Sequence, residues 1–167
     1  MRYMPAAIAL SLLVAVTSSV GYGAEREPDP RAVMLQMQGR AALAANDTEA
    51  AIDNFEAALV LDPGYSSIYL DLADAARRQG LQGKAIKYYR EALEREPGNL
   101  AAIAGEGEAL VEKGAVEKAR RNLSRLESLC GTSCSEAKQL AAAIQRGPQA
   151  PVLAAEGATP DSIVAKN

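Results

Sequence analysis

Apolar residues between positions 66 and 99 fall into two helical stripes separated by a polar turn. Tyr69, Leu72, Ala73 and Ala76 follow an i, i+3, i+4, i+7 order, which places them on one face of a helix. Ala85, Ile86, Tyr89, Ala92 and Leu93 repeat that order on a second helix. Gly80 and Gly83 lie between the stripes and permit the backbone angles of a tight reversal. Pro97-Gly98 stops the second helix. The stretch reads as one helix-turn-helix hairpin, too small to bury its own faces. Its neighbours must cover them.

The hairpin recurs. Pro63 and Pro97 close successive units 34 residues apart, and the preceding positions match in the same register. Ala51, Phe55 and Ala58 correspond to Ala85, Tyr89 and Ala92, and then to Ala119, Leu123 and Leu126. In the first helix Leu35, Tyr69 and Ile103 correspond, as do Gly39, Ala73 and Gly107. The turn aligns as Asn46, Gly80 and Gly114. A fixed period of this length marks a solenoid of stacked hairpins. In this order of small, aromatic, small and proline positions the chain resembles the tetratricopeptide repeat family. The resemblance covers units 32–65, 66–99 and 100–133. It implies an all-α, right-handed superhelical solenoid of three hairpins. Small residues would let the helices of each hairpin approach, and Phe55 and Tyr89 would fill the space between hairpins. Gln38 and Glu106 depart from the pattern, standing where an apolar residue is usual, and the third unit lacks both the aromatic and the terminal proline.

The ends of the chain read differently. Residues 1–23 carry Arg2, an uncharged apolar run from Ala6 to Val16, and then small residues. That is the order of a secretory signal peptide, with a cut expected between Gly23 and Ala24. An uncleaved anchor helix is the rival reading, but Ala6–Val20 is short for a membrane span, which needs about 20 apolar residues. Residues 24–31 form a charged, proline-interrupted linker, with the first helix starting near Arg31. Asn46 with Glu49 has capping-box spacing, although Asp47 or Thr48 could equally cap the second helix, and Asn99 is placed to cap a later one. After the third unit, Ala137, Leu140, Ala141 and Ile144 form one more stripe, read as a helix over 134–146 with Ser133 and Glu136 as its capping box. A solenoid needs such a cap over its last apolar face. Residues 147–167, rich in Pro, Ala and Gly, are expected to be a disordered tail.

Composition narrows the function. Aromatic residues make up only 4% of the chain against 49% hydrophobic residues in all, so stability should come from stacking units, not from one large core. The formal net charge is −3, and removing residues 1–23 takes away one positive charge, Arg2. That balance gives no basic stripe for nucleic acid and no polybasic signal for anionic membranes. The chain has no histidine, which removes Ser-His-Asp and Cys-His arrangements. There is no phosphate-cradling glycine loop, and Gly105-Glu106-Gly107 lies in a helical pattern where close packing explains it. No catalytic residue, metal site or cofactor is expected. The two cysteines, Cys130 and Cys134, flank the turn into the final helix. Export to an oxidising compartment makes a structural disulfide the leading expectation. Their spacing is not the C-x-x-C of thioredoxin-like centres.

What remains is a surface. The resemblance implies that the first helix of each hairpin lines a concave groove for a peptide or partner segment. The matching positions are Val33, Gln36, Met37 and Arg40 in unit one. Unit two supplies Ser67, Leu70, Asp71, Asp74 and Arg78, and unit three Ala101, Ala104, Glu108 and Glu112. Some family members clamp a C-terminal carboxylate with lysines and asparagines from these positions, and those residues are missing here. The expected function is a non-enzymatic interaction module exported to a bacterial periplasm, with no membrane span in the mature chain. The alternative is a thiol-dependent redox or stress-responsive factor acting through Cys130 and Cys134. A self-stacking structural subunit is a third reading, opposed by the capping helix.

Overall fold

The computed structural model describes residues 27–148. The expected signal peptide, its cleavage site and residues 149–167 of the expected tail lie outside the described residues. The described chain is all-helical: α1 (Pro30–Ala44), α2 (Thr48–Leu61), α3 (Ser67–Arg78), α4 (Gln82–Arg95), α5 (Leu100–Glu112), α6 (Val116–Cys130) and α7 (Ser135–Arg146). Consecutive helices pair as hairpins α1–α2, α3–α4 and α5–α6, and α7 packs against both α5 and α6. Each hairpin also touches the next, through α2–α3 and α4–α5, so the units stack as a solenoid. No helix among the described residues is long and apolar enough to cross a membrane.

Helix ends follow local chemistry. Asp29 caps α1 by accepting from the Arg31 amide at 2.8 Å, and Pro30 occupies the first turn, where its missing N–H costs nothing. The helix thus begins at Pro30, inside the stretch expected to be linker. Asp47 caps α2 through the Ala50 amide at 3.1 Å. Asn46 does not cap; it sits in the turn at φ 63°. Asn99 caps α5 through the Ala102 amide at 2.9 Å. At α7 the expected capping box does not form. The N-cap is Cys134, without a side-chain cap bond, and Glu136 instead accepts from the Ser135 hydroxyl at 2.7 Å.

The three turn positions in register, Asn46, Gly80 and Gly114, all take left-handed backbone, at φ 63°, 73° and 83°. Gly83 does not; it belongs to the first turn of α4. The two glycines of that loop should therefore respond oppositely to alanine. Gly80→Ala forces a side chain into left-handed backbone and is expected to cost about 1 kcal/mol. Gly83→Ala adds a Cβ whose nearest neighbour is the mobile end of Lys113 at 3.8 Å, and is expected to gain about 0.5 kcal/mol from helix propensity. Thermal unfolding of the two variants measures both signs.

The core is serial. Ala32, Leu43, Ala51, Phe55, Ala58, Ile68, Leu72 and Ala75 form one cluster around the first hairpin. A second cluster runs from Ala73 and Ala76 through Tyr89, Ile103 and Leu126 to Leu140. Helix α3 belongs to both, because a hairpin stacked on two sides buries two flanks. Its apolar arc is consequently wider than the single stripe, with Ile68 and Ala75 fully buried beside Leu72. Close approach depends on glycine at the seams. A Cβ on Gly39 would lie 2.6 Å from Cδ1 of Phe55, and one on Gly107 would lie 2.6 Å from Cδ2 of Leu140. Gly105 meets the Tyr89 ring in the same way, 2.7 Å from its hydroxyl oxygen. Phe55 and Tyr89 thus rest on glycines of different hairpins, Phe55 on its own and Tyr89 on the next.

The sulfurs of Cys130 and Cys134 are bonded. The bridge joins the end of α6 to the N-cap of α7. Closing so short a loop is worth about 2 kcal/mol in the chain-entropy account.

Candidate functional site

The first helices of the hairpins, α1, α3 and α5, lie side by side, with α3 touching both of the others. Their shared face carries the residues expected to line a groove. Polar side chains on it pair across helices in a way that sequence spacing does not reveal. Gln36 is buried: its amide donates to Ser67 Oγ at 2.9 Å and to Asp71 Oδ2 at 2.5 Å, while its carbonyl accepts from the Tyr65 hydroxyl at 2.6 Å. Arg40 Nε donates to Asp71 Oδ1 at 2.9 Å. Burial pushes the Asp71 carboxyl above its usual range, against the opposing hydrogen bonds from Arg40 and Gln36. Gln36, Ser67 and Asp71 are therefore occupied in joining α1 to α3. Val33 is half-buried beside them, and Met37 is 66% exposed.

Toward α5 the face changes. Arg77 Nη1 lies 2.9 Å from Glu108 Oε2, and Nη2 donates to Glu112 Oε1. Burial, the largest single influence, would lower the Arg77 pKa, but the interactions with Glu112 and Tyr89 together raise it, so the guanidinium stays charged. The Tyr89 hydroxyl donates to Asp74 Oδ1 at 2.8 Å; burial and the Asp74 charge raise its pKa, so it remains a neutral donor. Arg78 turns away toward the first hairpin and donates to the Leu43 carbonyl at 2.8 Å. A pocket of about 300 Å³ opens between α3, α5 and α7. Leu70, Ala101 and Ala104 give it apolar lining, Asp74, Glu108 and Glu136 give it carboxylates, and Arg77, Tyr89, Gly105 and Gln139 complete it. Ala104 is itself nearly buried, at 5% exposure.

Of the positions expected to line a groove, Leu70, Asp74, Ala101, Ala104 and Glu108 meet in this pocket. Glu112 and Arg78 border an adjoining one with Asp74 and Arg77. Val33, Gln36, Met37 and Arg40 belong to neither. Sequence reasoning missed Arg77, Glu136 and Gln139. Arg77 was within reach: it stands three residues after Asp74 and seven after Leu70, on the same helical face. Glu136 and Gln139 enter only because α7 folds back against α5.

Elsewhere Glu106, the acid at a usually apolar position, is 7% exposed and satisfied. Arg90 Nε donates to it at 2.7 Å and the Asn122 amide at 3.0 Å, so the departure becomes a polar tie between hairpins. Among the described residues no group of three or more Cys, Asp or Glu could hold a metal ion.

Comparison with known proteins agrees with this architecture. Two family models, both described as tetratricopeptide repeat, match residues 37–100 and 83–144. No curated protein matches the sequence. Among solved structures, the Sgt2 TPR domain from Aspergillus fumigatus is similar, with a TM-score of 0.65 at 22% identity over 78% of this chain and 94% of that one. The first TPR of Spaghetti (RPAP3), bound to an HSP90 peptide, gives a TM-score of 0.63 at 20% identity, over 70% of this chain and 91% of that one. The Yersinia enterocolitica type III secretion chaperone SycD, in complex with a peptide of the translocator YopD, gives 0.60 at 22% identity, over 68% and 86%. With the 34-residue period, the stacked hairpins and these matches together, the chain belongs to the tetratricopeptide repeat family.

Proposed function

We propose that this protein is a non-enzymatic interaction module of the bacterial cell envelope, which holds a peptide or partner segment on the face formed by α1, α3 and α5. The observation that carries the reading is the pocket between α3, α5 and α7. There apolar and charged side chains converge on a recess of about 300 Å³, large enough to receive a side chain of a partner. The peptides held by the RPAP3 domain and by SycD support it by analogy of fold. Envelope localisation rests on the signal-peptide pattern of residues 1–23, and the bridge between Cys130 and Cys134 is in keeping with an oxidising compartment.

Leu70 is the contact residue whose change is most informative, because it lines the pocket without belonging to either fully buried cluster. Leu70→Glu is expected to reduce partner co-purification from the envelope about tenfold or more, as loss of an apolar anchor does. Far-ultraviolet circular dichroism should stay unchanged. Undiminished recovery, or lost helicity, would count against the assignment. Export is tested separately: N-terminal sequencing of the mature protein should begin at Ala24, and a chain retaining Met1 would rule out cleavage.

A further inference from the structure

The pocket between α3, α5 and α7 has a chemistry that selects its ligand. Arg77 is its one cation, and that charge is already matched by two carboxylates, Glu108 at 2.9 Å and Glu112. The hydrogen-bond partners of the other two acids are neutral. Asp74 accepts from the Tyr89 hydroxyl at 2.8 Å, and Glu136 from the Ser135 hydroxyl at 2.7 Å. The site therefore carries uncompensated negative charge beside the apolar lining of Leu70, Ala101 and Ala104. Arg78, beside Asp74 in the adjoining recess, and Arg40 stand near, but neither is hydrogen-bonded to a carboxylate of the pocket: Arg78 donates to the Leu43 carbonyl and Arg40 to Asp71.

An aliphatic stem ending in a cation matches both halves of such a lining. The methylenes of a lysine or arginine lie along apolar surface while the charged head reaches the carboxylates. An acidic residue would meet like charge from Asp74 and Glu136, a repulsion that excludes wrong partners more strongly than attraction favours right ones.

We propose that the pocket receives a lysine or arginine side chain, so that the partner segment is a basic peptide with neighbouring apolar residues. This deepens the groove reading and rests on it. The opposite charge preference, for an acidic C-terminal tail, is disfavoured by the same residues.

A random twelve-residue peptide-display library selected against the whole mature protein tests the proposal, with the Leu70→Gln variant, which removes the apolar lining without adding charge, as the counter-target. Peptides retained by the native protein and not by that variant should be enriched in Lys and Arg over the starting library. A synthetic peptide of the enriched sequence should bind the Asp74→Asn, Glu136→Gln double variant about tenfold more weakly, the sum of two partly exposed ion pairs. Its affinity should also fall with added salt. Groove-dependent peptides that are neutral or acidic, or an affinity unmoved in the double variant, would overturn the cation preference and leave the groove reading standing. No peptide that distinguishes the native protein from Leu70→Gln would remove the groove reading, and the cation preference with it.

Discussion

Phe55→Ala is expected to lower the stability of the domain by about 3–5 kcal/mol, the range for removing a fully buried aromatic ring. The ring has no exposed surface and is the largest fully buried side chain among the described residues. It lies against Gly39, where even one added methyl would stand 2.6 Å from Cδ1. The ring therefore fills the space between its own helix and the α1 backbone, and its removal leaves a cavity there. The same cluster includes Ile68, Leu72 and Ala75 of α3, so the damage should pass from the first hairpin into the second. Against a typical total of about 5–15 kcal/mol, a loss of this size removes a large share of the stability and should shift the unfolding midpoint clearly. Urea unfolding followed by circular dichroism measures it. A cost below about 1 kcal/mol would mean that the first hairpin contributes little to the stack.

The second large effect is expected at the other end. Leu140 is fully buried in α7, and its methyl groups occupy the space that a Cβ on Gly107 would need. Leu140→Ala should cost about 2–5 kcal/mol. The loss should be read in α5 and α6 as well as in α7, because α7 packs on both. Hydrogen exchange resolves that distribution: faster exchange at Ile103, Leu110 and Leu126 is expected, with little change at Ala51 and Ala58. Exchange altered in α7 alone would show that this helix is an appendage and not the closing layer of the solenoid.

The two predictions rest on features with different visibility in the sequence. The period of 34 was legible because close helix packing constrains residue size at fixed positions. Gly39, Ala73 and Gly107 are small for the same steric reason, and Asn46, Gly80 and Gly114 all take left-handed backbone. Local rules served less well at the last helix. Ser133 and Glu136 have the spacing of a capping box, yet the chain enters α7 through the bonded Cys134, and the box does not form. Glu106 looked like a defect in the pattern. Its satisfaction depends on Arg90 and Asn122, sixteen residues away on either side, which no local pattern links to it.

The candidate site was legible only in outline. Repeat register placed Leu70, Asp74, Ala101 and Glu108 on one face, and they do share a pocket. Register could not show that Gln36 is buried under Tyr65, Ser67 and Asp71, since those bonds cross between hairpins. Register also picked Arg78 over Arg77. Both follow Asp74 at helical spacing, and only the position of α5 decides that Arg77 meets Glu108 and Glu112 while Arg78 reaches back to Leu43.

The central claim, that the α1–α3–α5 face holds a partner, is tested most directly by photo-crosslinking in the native envelope from position 70. Lys87 serves as control, being exposed beside a separate recess with Arg90 and Lys118. A discrete product from position 70 and none from position 87 is the predicted result, and it delivers the partner for identification. No product from position 70, with signal at position 87 or at neither, would contradict the account.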